Sequence, residues 1–171
     1  MQNPFGKHLY VSIVFSILEV TMAKLFSIKE KYSERIYSRV KLVEFRRQNV
    51  NIKKDELCLI YTTSPIKKVT GYFIVKEKIR TTIKELWNLT KNVAGITYQE
   101  FKNYFKECQL GTAIVFKKIK RFTRTISLKE LQKTVDFRPP QSYCNLNYLL
   151  IELILQLIPK KQLNLLLIPN A

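Results

Sequence analysis

Apolar positions along the chain recur at two spacings, and the change from one spacing to the other divides it into elements. Lys24 to Ile28 reads as a first strand, and within Glu30 to Ser38 the residues Tyr32, Ile36 and Tyr37 form an approximate helical stripe. Lys41 to Arg46 is a second strand. Leu57 to Thr63 (LCLIYTT) is rich in β-formers and stops at Ser64-Pro65, while Val69 to Ile79 (VTGYFIVKEKI) alternates as a long strand, so the two should pair across a short loop. Gly71 inside that strand predicts a bulge or a close backbone approach.

Two helices follow, at about Thr82 to Val93 and Tyr98 to Lys106. Between them Gly95 can terminate the first, and Thr97 can cap the second with Glu100 as its reciprocal partner. Trp87, Tyr98, Phe101 and Phe105 have the spacing of a packing stripe. Thr112 to Phe122 (TAIVFKKIKRF) returns to strand, Leu128 to Lys133 is a short helix, and Arg138-Pro139-Pro140-Gln141-Ser142-Tyr143 closes the unit. Strands with interspersed helices and one helical insertion predict an α+β fold around a small β-barrel.

The ends differ from the middle. Residues 1–21 read as an N-terminal extension, with Met22 as an alternative start; Leu9 to Leu18 is apolar but only ten residues long, short of a membrane span, and the cleavage signal after it is poor. Residues 144–171 hold the 13-residue apolar run Leu146 to Ile158, closed by Pro159. It is also too short to span, and is expected to pack as a helix on the barrel or on a second copy of the chain; a peripheral membrane contact beside Lys160 and Lys161 is the competing reading. The expectation is a cytoplasmic protein with one folded domain, at about residues 22–143.

Charge changes the picture. Among 171 residues, 30 Lys and Arg face 13 Asp and Glu, a formal net charge of +17. The terminal segments contain only Lys7, Lys160, Lys161, Glu19 and Glu152, so residues 23–143 keep 27 basic and 11 acidic groups, a net +16. Such a segment calls for an anionic partner, and a phosphate backbone is the commonest, because each contact releases condensed counterions. Anionic membrane surface and a lysine-rich codon bias are the alternatives. Cys58, Cys108 and Cys144 match no metal or disulfide spacing and read as small buried hydrophobes. The sole histidine, His8, lies outside the basic segment, so Ser-His-Asp chemistry and histidine-rich metal sites cannot be assembled there, and neither metal nor cofactor is expected.

The segment Ser38-Arg39-Val40-Lys41-Leu42-Val43-Glu44-Phe45-Arg46 resembles the signature of the ASCH domain, a PUA-like family whose motif runs Gly-x-Lys-x-x-Glu-x-Arg. Lys41, Glu44 and Arg46 stand at the matching positions, and Arg39 replaces the glycine. The likeness continues through Leu25 to Lys29, Ile60 to Pro65, Gly71-Tyr72-Phe73, Glu85-Leu86-Trp87, Tyr104-Phe105 and Pro139 to Tyr143, about 120 residues in all. The resemblance is to the branch labelled predicted transcriptional regulators, and implies a β-barrel with a cleft beside the motif and kinship with RNA-binding modules.

On a strand, Glu44 and Arg46 point one way while Val43 and Phe45 face the core. With Lys41 they would form a cluster able to hold a phosphate or base edge, against the plainer reading of a structural ion pair. Thr62, Thr63, Ser64, Lys67 and Lys68 are candidates for phosphate oxygens, Tyr61 for base stacking, and Lys118, Lys120 and Arg121, within Lys117 to Arg124, for an electrostatic track. The favoured function is nucleic-acid binding, RNA before DNA, with possible regulation and possible self-association through the apolar C-terminal segment.

The alternative is an enzyme in the same cleft, with Lys41 and Glu44 as catalytic candidates. Proteins resembling this family include hydrolases of acetylated cytidine, which place a threonine nucleophile three residues after the lysine; Glu44 holds that position here and is no substitute for a hydroxyl. Ribonuclease activity has also been attributed to ASCH-like proteins.

Overall fold

A computed structural model describes residues 23–147 together with the helical residues Leu150, Ile151, Leu153 and Ile154. The N-terminal extension and the tail beyond residue 154 lie outside the described residues. Six strands form one mixed sheet in the order β2-β5-β4-β3-β1-β6: β1 Lys24–Ile28, β2 Val43–Arg46, β3 Leu57–Thr62, β4 Lys68–Thr82, β5 Leu110–Ser127 and β6 Tyr143–Asn145. Helix α1 (Glu30–Tyr37) follows β1, α2 (Ile83–Thr90) and α3 (Tyr98–Tyr104) lie between β4 and β5, and α4 (Leu128–Thr134) follows β5. β1 and β3 are parallel, and every other pairing is antiparallel.

The expected elements are present, with β4 and β5 longer than their apolar alternation suggests. Their outer thirds still pair, from Lys78 opposite Ile114 to Thr82 opposite Leu110. β2 begins two residues later than expected, at Val43, because the backbone N–H groups of Lys41 and Leu42 bond instead to Arg35 and Val93 carbonyls at 2.8 and 2.9 Å. β6 was not foreseen.

Register partners share a face, which sorts the core into three clusters. On one face Leu25, Leu59, Tyr61, Tyr72 and Phe122 pack against Leu131, Phe137, Leu146, Leu150, Ile151, Leu153 and Ile154. The described part of the apolar C-terminal run thus covers the chain's own sheet, and those side chains are not left for a second copy. Among the described residues no helix is long and apolar enough to cross a membrane. On the other, concave face lie Phe26, Ile28, Ile60, Phe73, Val75, Ile114 and Ile119, closed by Ile36 of α1. The third cluster joins Val43, Phe45 and Ala113 to Leu86, Phe101 and Phe105 of the helical insertion.

Thr97 and Glu100 form the expected reciprocal cap of α3, and Glu100 also takes Lys31 and Arg35 of α1, which ties the insertion to the first helix. Tyr98 departs from the expected packing stripe: it is 55% exposed, its ring flanked by Trp87 and by the Lys102 ammonium. Gly71 meets both expectations attached to it. The β4–β5 register shifts beside it, and a Cβ there would lie 2.2 Å from the Lys120 carbonyl and 2.8 Å from the Tyr37 hydroxyl.

Gly71→Ala should therefore destabilise the fold by about 1–3 kcal/mol, the usual range for forced overpacking. Urea unfolding measures this, and an unchanged midpoint would contradict the close approach.

Candidate functional site

The signature residues are set by backbone contacts before any side chain acts. Lys41 is held by its bond to the end of α1, and by Gly95, whose missing Cβ would fall 2.5 Å from the Lys41 Cβ. Gly95 has φ +60°, so a side chain there would be strained as well as crowded. This close approach is its role; it does not end α2, which stops at Thr90. Arg39 also adopts a left-handed backbone, φ 64°, the conformation that the glycine of the ASCH signature favours, and donates to the Ile119 carbonyl at 2.8 Å.

Because Val43 and Phe45 are occupied by the helical insertion, Glu44 and Arg46 turn to the concave side, opposite Ile114 and Thr112. The cluster expected on an accessible strand face is thus buried: Lys41 is 3% exposed, Glu44 6% and Arg46 9%. One Glu44 oxygen lies 2.9 Å from Arg46 NH1 and the other 3.7 Å from Lys41 Nζ. The Lys41 ammonium stands 4.7 Å from the Phe45 ring centre, and the Arg46 guanidinium 5.2 Å from that of Phe26. Burial pushes the Lys41 pKa below the ordinary lysine value; the Glu44 carboxylate opposes that shift and the Arg46 charge adds to it. The Arg46 Nε is buried and has no hydrogen-bond partner among the described residues.

Ser27 joins this cluster to the second group of candidates. β2 and β1 are far apart in strand order, yet Arg46 NH2 donates to the Ser27 carbonyl at 3.2 Å, which shows how far the sheet curls. The Ser27 N–H donates to the Ser142 carbonyl at 2.9 Å, and its hydroxyl to the Pro140 carbonyl at 2.6 Å. Its register partner on β3 is Tyr61. Tyr61 is 2% exposed and packs edge-on against Phe137, so it is a core residue and its ring is not free to stack on a base. Burial raises the pKa of its hydroxyl, which has no hydrogen-bond partner among the described residues.

After β3 the Thr63 N–H bonds to the Ile28 carbonyl, and Thr63 is half-buried while Ser64, Lys67 and Lys68 are exposed. Thr62 is not available to a ligand in the same way, since its buried hydroxyl bonds to those of Ser33 and Thr70. Sequence reasoning passed over Ser27 and Ser142 as site residues; the signal for Ser27 is a polar residue inside the fully buried strand KLFSI.

The proposed electrostatic track on β5 is divided. Lys118 and Lys120 lie opposite Ile74 and Tyr72 on one face, whereas Arg121 lies opposite Gly71 on the other. Arg121 is held by a two-pronged pair with Glu34 at 3.0 and 2.6 Å, and Lys117 is paired with Asp55 at 2.7 Å. Lys117 to Arg124 is therefore not one uniform cationic strip. The residues missed lie at the other end of β4, where Arg80 donates to the Thr112 hydroxyl at 2.9 Å and Lys78 to the Val50 carbonyl at 3.1 Å. Among the described residues no group of His, Cys, Asp and Glu is arranged to hold a metal ion.

No family model matches the sequence. A protein of Zymomonas mobilis named ASCH domain-containing ribonuclease is 28% identical over 119 residues, which cover 69% of this chain and 80% of that protein. A crystal structure of ASCH from Zymomonas mobilis matches with a TM-score of 0.76 and 25% identity, covering 81% of this chain and 97% of that one. A serine-to-alanine variant of that protein gives a TM-score of 0.75 at 24% identity, covering 81% of this chain and 98% of that one. These likenesses support the ASCH assignment and its α+β curled barrel.

The buried cluster has two measurable consequences. Glu44→Ala would leave two cationic side chains facing each other inside the barrel, and should cost about 3–5 kcal/mol in urea unfolding, the range for breaking a buried pair. The depressed Lys41 pKa means that the folded chain loses this proton before the unfolded chain does. Between that value and 10.5 unfolding takes up a proton, so the Lys41 contribution to stability rises with pH through this window. Wild type should accordingly gain stability relative to Lys41→Met from pH 8 to pH 10.5; a difference that shrinks would show that Lys41 is not held low.

Proposed function

We propose that this chain is an RNA-binding ASCH module whose recognition surface runs from the signature cluster to the loop after β3. The observation that carries this reading is the buried Arg46 Nε, a donor without a partner in a group of two cationic side chains and one anionic one. Buried donors in native folds are normally satisfied, so an unpartnered one beside two cationic side chains suits an anionic ligand. RNA is the anion of choice because a relative of similar fold is named a ribonuclease, and because residues 23–143 carry a net +16. Lys67 and Lys68, exposed beside Ser64, add phosphate contacts at the far side of Ser27. Cytoplasmic location and a regulatory role of the kind named by the transcriptional-regulator label fit this reading.

A second reading, ribonuclease, is favoured by the Zymomonas mobilis relative that carries that name. RNA carries its own nucleophile, the 2′-hydroxyl, so cleavage requires a proton acceptor, a proton donor and a cation, and no histidine. Glu44, tied to two cations, is poorly placed to be the base, and as the residue three after Lys41 it also speaks against the acetylcytidine hydrolase chemistry.

Binding of the full chain to labelled mixed-sequence single-stranded RNA, followed by anisotropy across a salt series with product analysis, tests both readings. Intact RNA, a steep inverse salt dependence and a Kd weakened about tenfold by Arg46→Ala would support the binding module. No binding at low salt would overturn it. Cleavage of the RNA in proportion to protein concentration, in place of intact bound RNA, would establish the enzyme.

A further inference from the structure

The two register rows that begin at the buried signature end in exposed cations. Glu44 pairs with Ile114 and Ile114 with Lys78, while Arg46 pairs with Thr112 and Thr112 with Arg80. Partners across a sheet share a face, so Lys78 and Arg80 leave β4 on its concave side, two residues and therefore about 7 Å apart. The loop after β2 lies over the middle of these rows. The Thr112 hydroxyl donates to the Gln48 carbonyl at 2.8 Å, Arg80 NH1 to that of Arg47 at 3.4 Å, and Lys78 Nζ to that of Val50 at 3.1 Å. This loop separates the exposed pair from Glu44 and Arg46. Past Val75, β4 has no partner strand on its β3 side among the described residues, so no strand covers that flank.

Arg47 completes a group of three. Its Nε donates to the Tyr104 carbonyl at 2.6 Å, and its guanidinium stands 5.1 Å from the Tyr104 ring centre. The Tyr104 hydroxyl donates in turn to the Phe45 carbonyl at 3.1 Å, so α3 props Arg47 at the outer end of β2. Arg47, Lys78 and Arg80 are all exposed, and what holds them is neutral: carbonyls, the Asn49 Oδ1, the Thr112 hydroxyl and an aromatic ring. None of the three pairs with a carboxylate among the described residues. Other exposed cations do, Lys117 with Asp55, Arg121 with Glu34 and Arg124 with Glu130. The sequence has a reason for the difference, since no acidic residue occurs between Glu44 and Asp55.

We propose that Arg47, Lys78 and Arg80 form a contact surface for the phosphate backbone of single-stranded RNA. The inference rests on the RNA-binding reading and extends its surface past the signature, along the loop after β2. Neutral oxygens hold these side chains in place without cancelling their charge, so little further ordering is lost when an anion arrives. A backbone phosphate needs no cavity here: it meets the three cations from solvent, and each contact releases condensed counterions. The spacing of Lys78 and Arg80 is close to that of successive phosphates along one strand. Arg47 adds NH1 and NH2, which have no partner among the described residues, as a forked pair of donors. None of the three belongs to the ASCH signature, and only strand register and the course of the loop bring them together.

The test follows labelled single-stranded RNA across a salt series with the unaltered full chain, with Lys78→Gln/Arg80→Gln and with Lys129→Gln/Lys133→Gln. The last variant removes the same charge from exposed positions on α4, whose Leu131 packs on the opposite face of the sheet. The β4 variant should bind about tenfold more weakly, and its slope of log affinity against log salt should be shallower by about 1.4, the value for two single-strand phosphate contacts. The α4 variant should stay within about twofold of the unaltered chain. Equal weakening of both would show attraction by net charge alone, which overturns this surface and leaves RNA binding standing. Because Lys78 and Arg80 also hold the loop, circular dichroism and the urea midpoint check the β4 variant, and a second measurement needs no variant. Acetylation of Lys78 in the unaltered chain, read by mass spectrometry, should slow severalfold when RNA is added, while that of Lys129 should not change. A Lys78 that stays equally reactive on a chain saturated with RNA would overturn the inference. So would vesicles of phosphatidylserine that lose affinity for the β4 variant while RNA does not, since the surface would then belong to a membrane. If no RNA binds the unaltered chain, the RNA-binding reading falls and this inference with it.

Discussion

The carboxylate of Glu44 is the interaction on which the architecture around the signature depends. It is the one anionic group among the described contacts of Lys41 and Arg46 inside the curled sheet, and it bridges the two. Charges taken out of water are tolerated only when paired and hydrogen-bonded, and replacing such groups by apolar ones would often be neutral or better for stability. A fold that keeps a lysine, a glutamate and an arginine inside its barrel therefore carries them at a cost that packing does not explain. The unpartnered Arg46 Nε strengthens the point, since a purely structural pair would be expected to use every donor.

Several other features follow from holding that bridge in place. The helical insertion occupies the Val43 and Phe45 side of β2 and so leaves Glu44 and Arg46 no direction but inward. Gly95 lets the loop after α2 lie directly on Lys41, and the end of α1 fixes the Lys41 backbone. On the opposite side of the barrel Ser27 receives Arg46 at its carbonyl, and binds the Pro140 and Ser142 carbonyls of the segment that leads into β6. Elements separated in sequence by more than 100 residues thus converge on one short stretch of β1, which makes the signature cluster the place where the curl of the sheet is closed.

Much of this was legible in the sequence. The alternation of VTGYFIVKEKI, the glycine inside it, and the Thr97 to Glu100 capping pair each have a local physical cause, and each is found where that cause predicts. The error over Lys41, Glu44 and Arg46 has an equally clear reason. A strand with apolar residues on one side and charged residues on the other normally has one dry and one wet face, and only the tertiary curl decides that here both are dry. The same limit explains Tyr61, whose burial depends on Phe137 from a distant segment, and the β5 lysines and arginines, whose partners Glu34 and Asp55 no local pattern reveals. Arg80 and Thr112 were missed because their relation to Arg46 exists only in the register of three strands.

These corrections alter the physical character of the expected interaction. A strip of exposed cations would bind RNA through many weak, interchangeable contacts, with affinity set almost wholly by ionic strength. Here several of the exposed cations are already paired with carboxylates, and one buried donor, the Arg46 Nε, has no partner among the described residues. A recessed donor gains more from an anion because little water competes with it, and it accepts only a group small enough to enter. The proposed RNA contact would then combine exposed lysines such as Lys67 and Lys68, which raise the local concentration of a polyanion, with the buried charges of the signature cluster. The buried charges of the signature therefore cost the barrel stability that well-packed apolar side chains in their place would not.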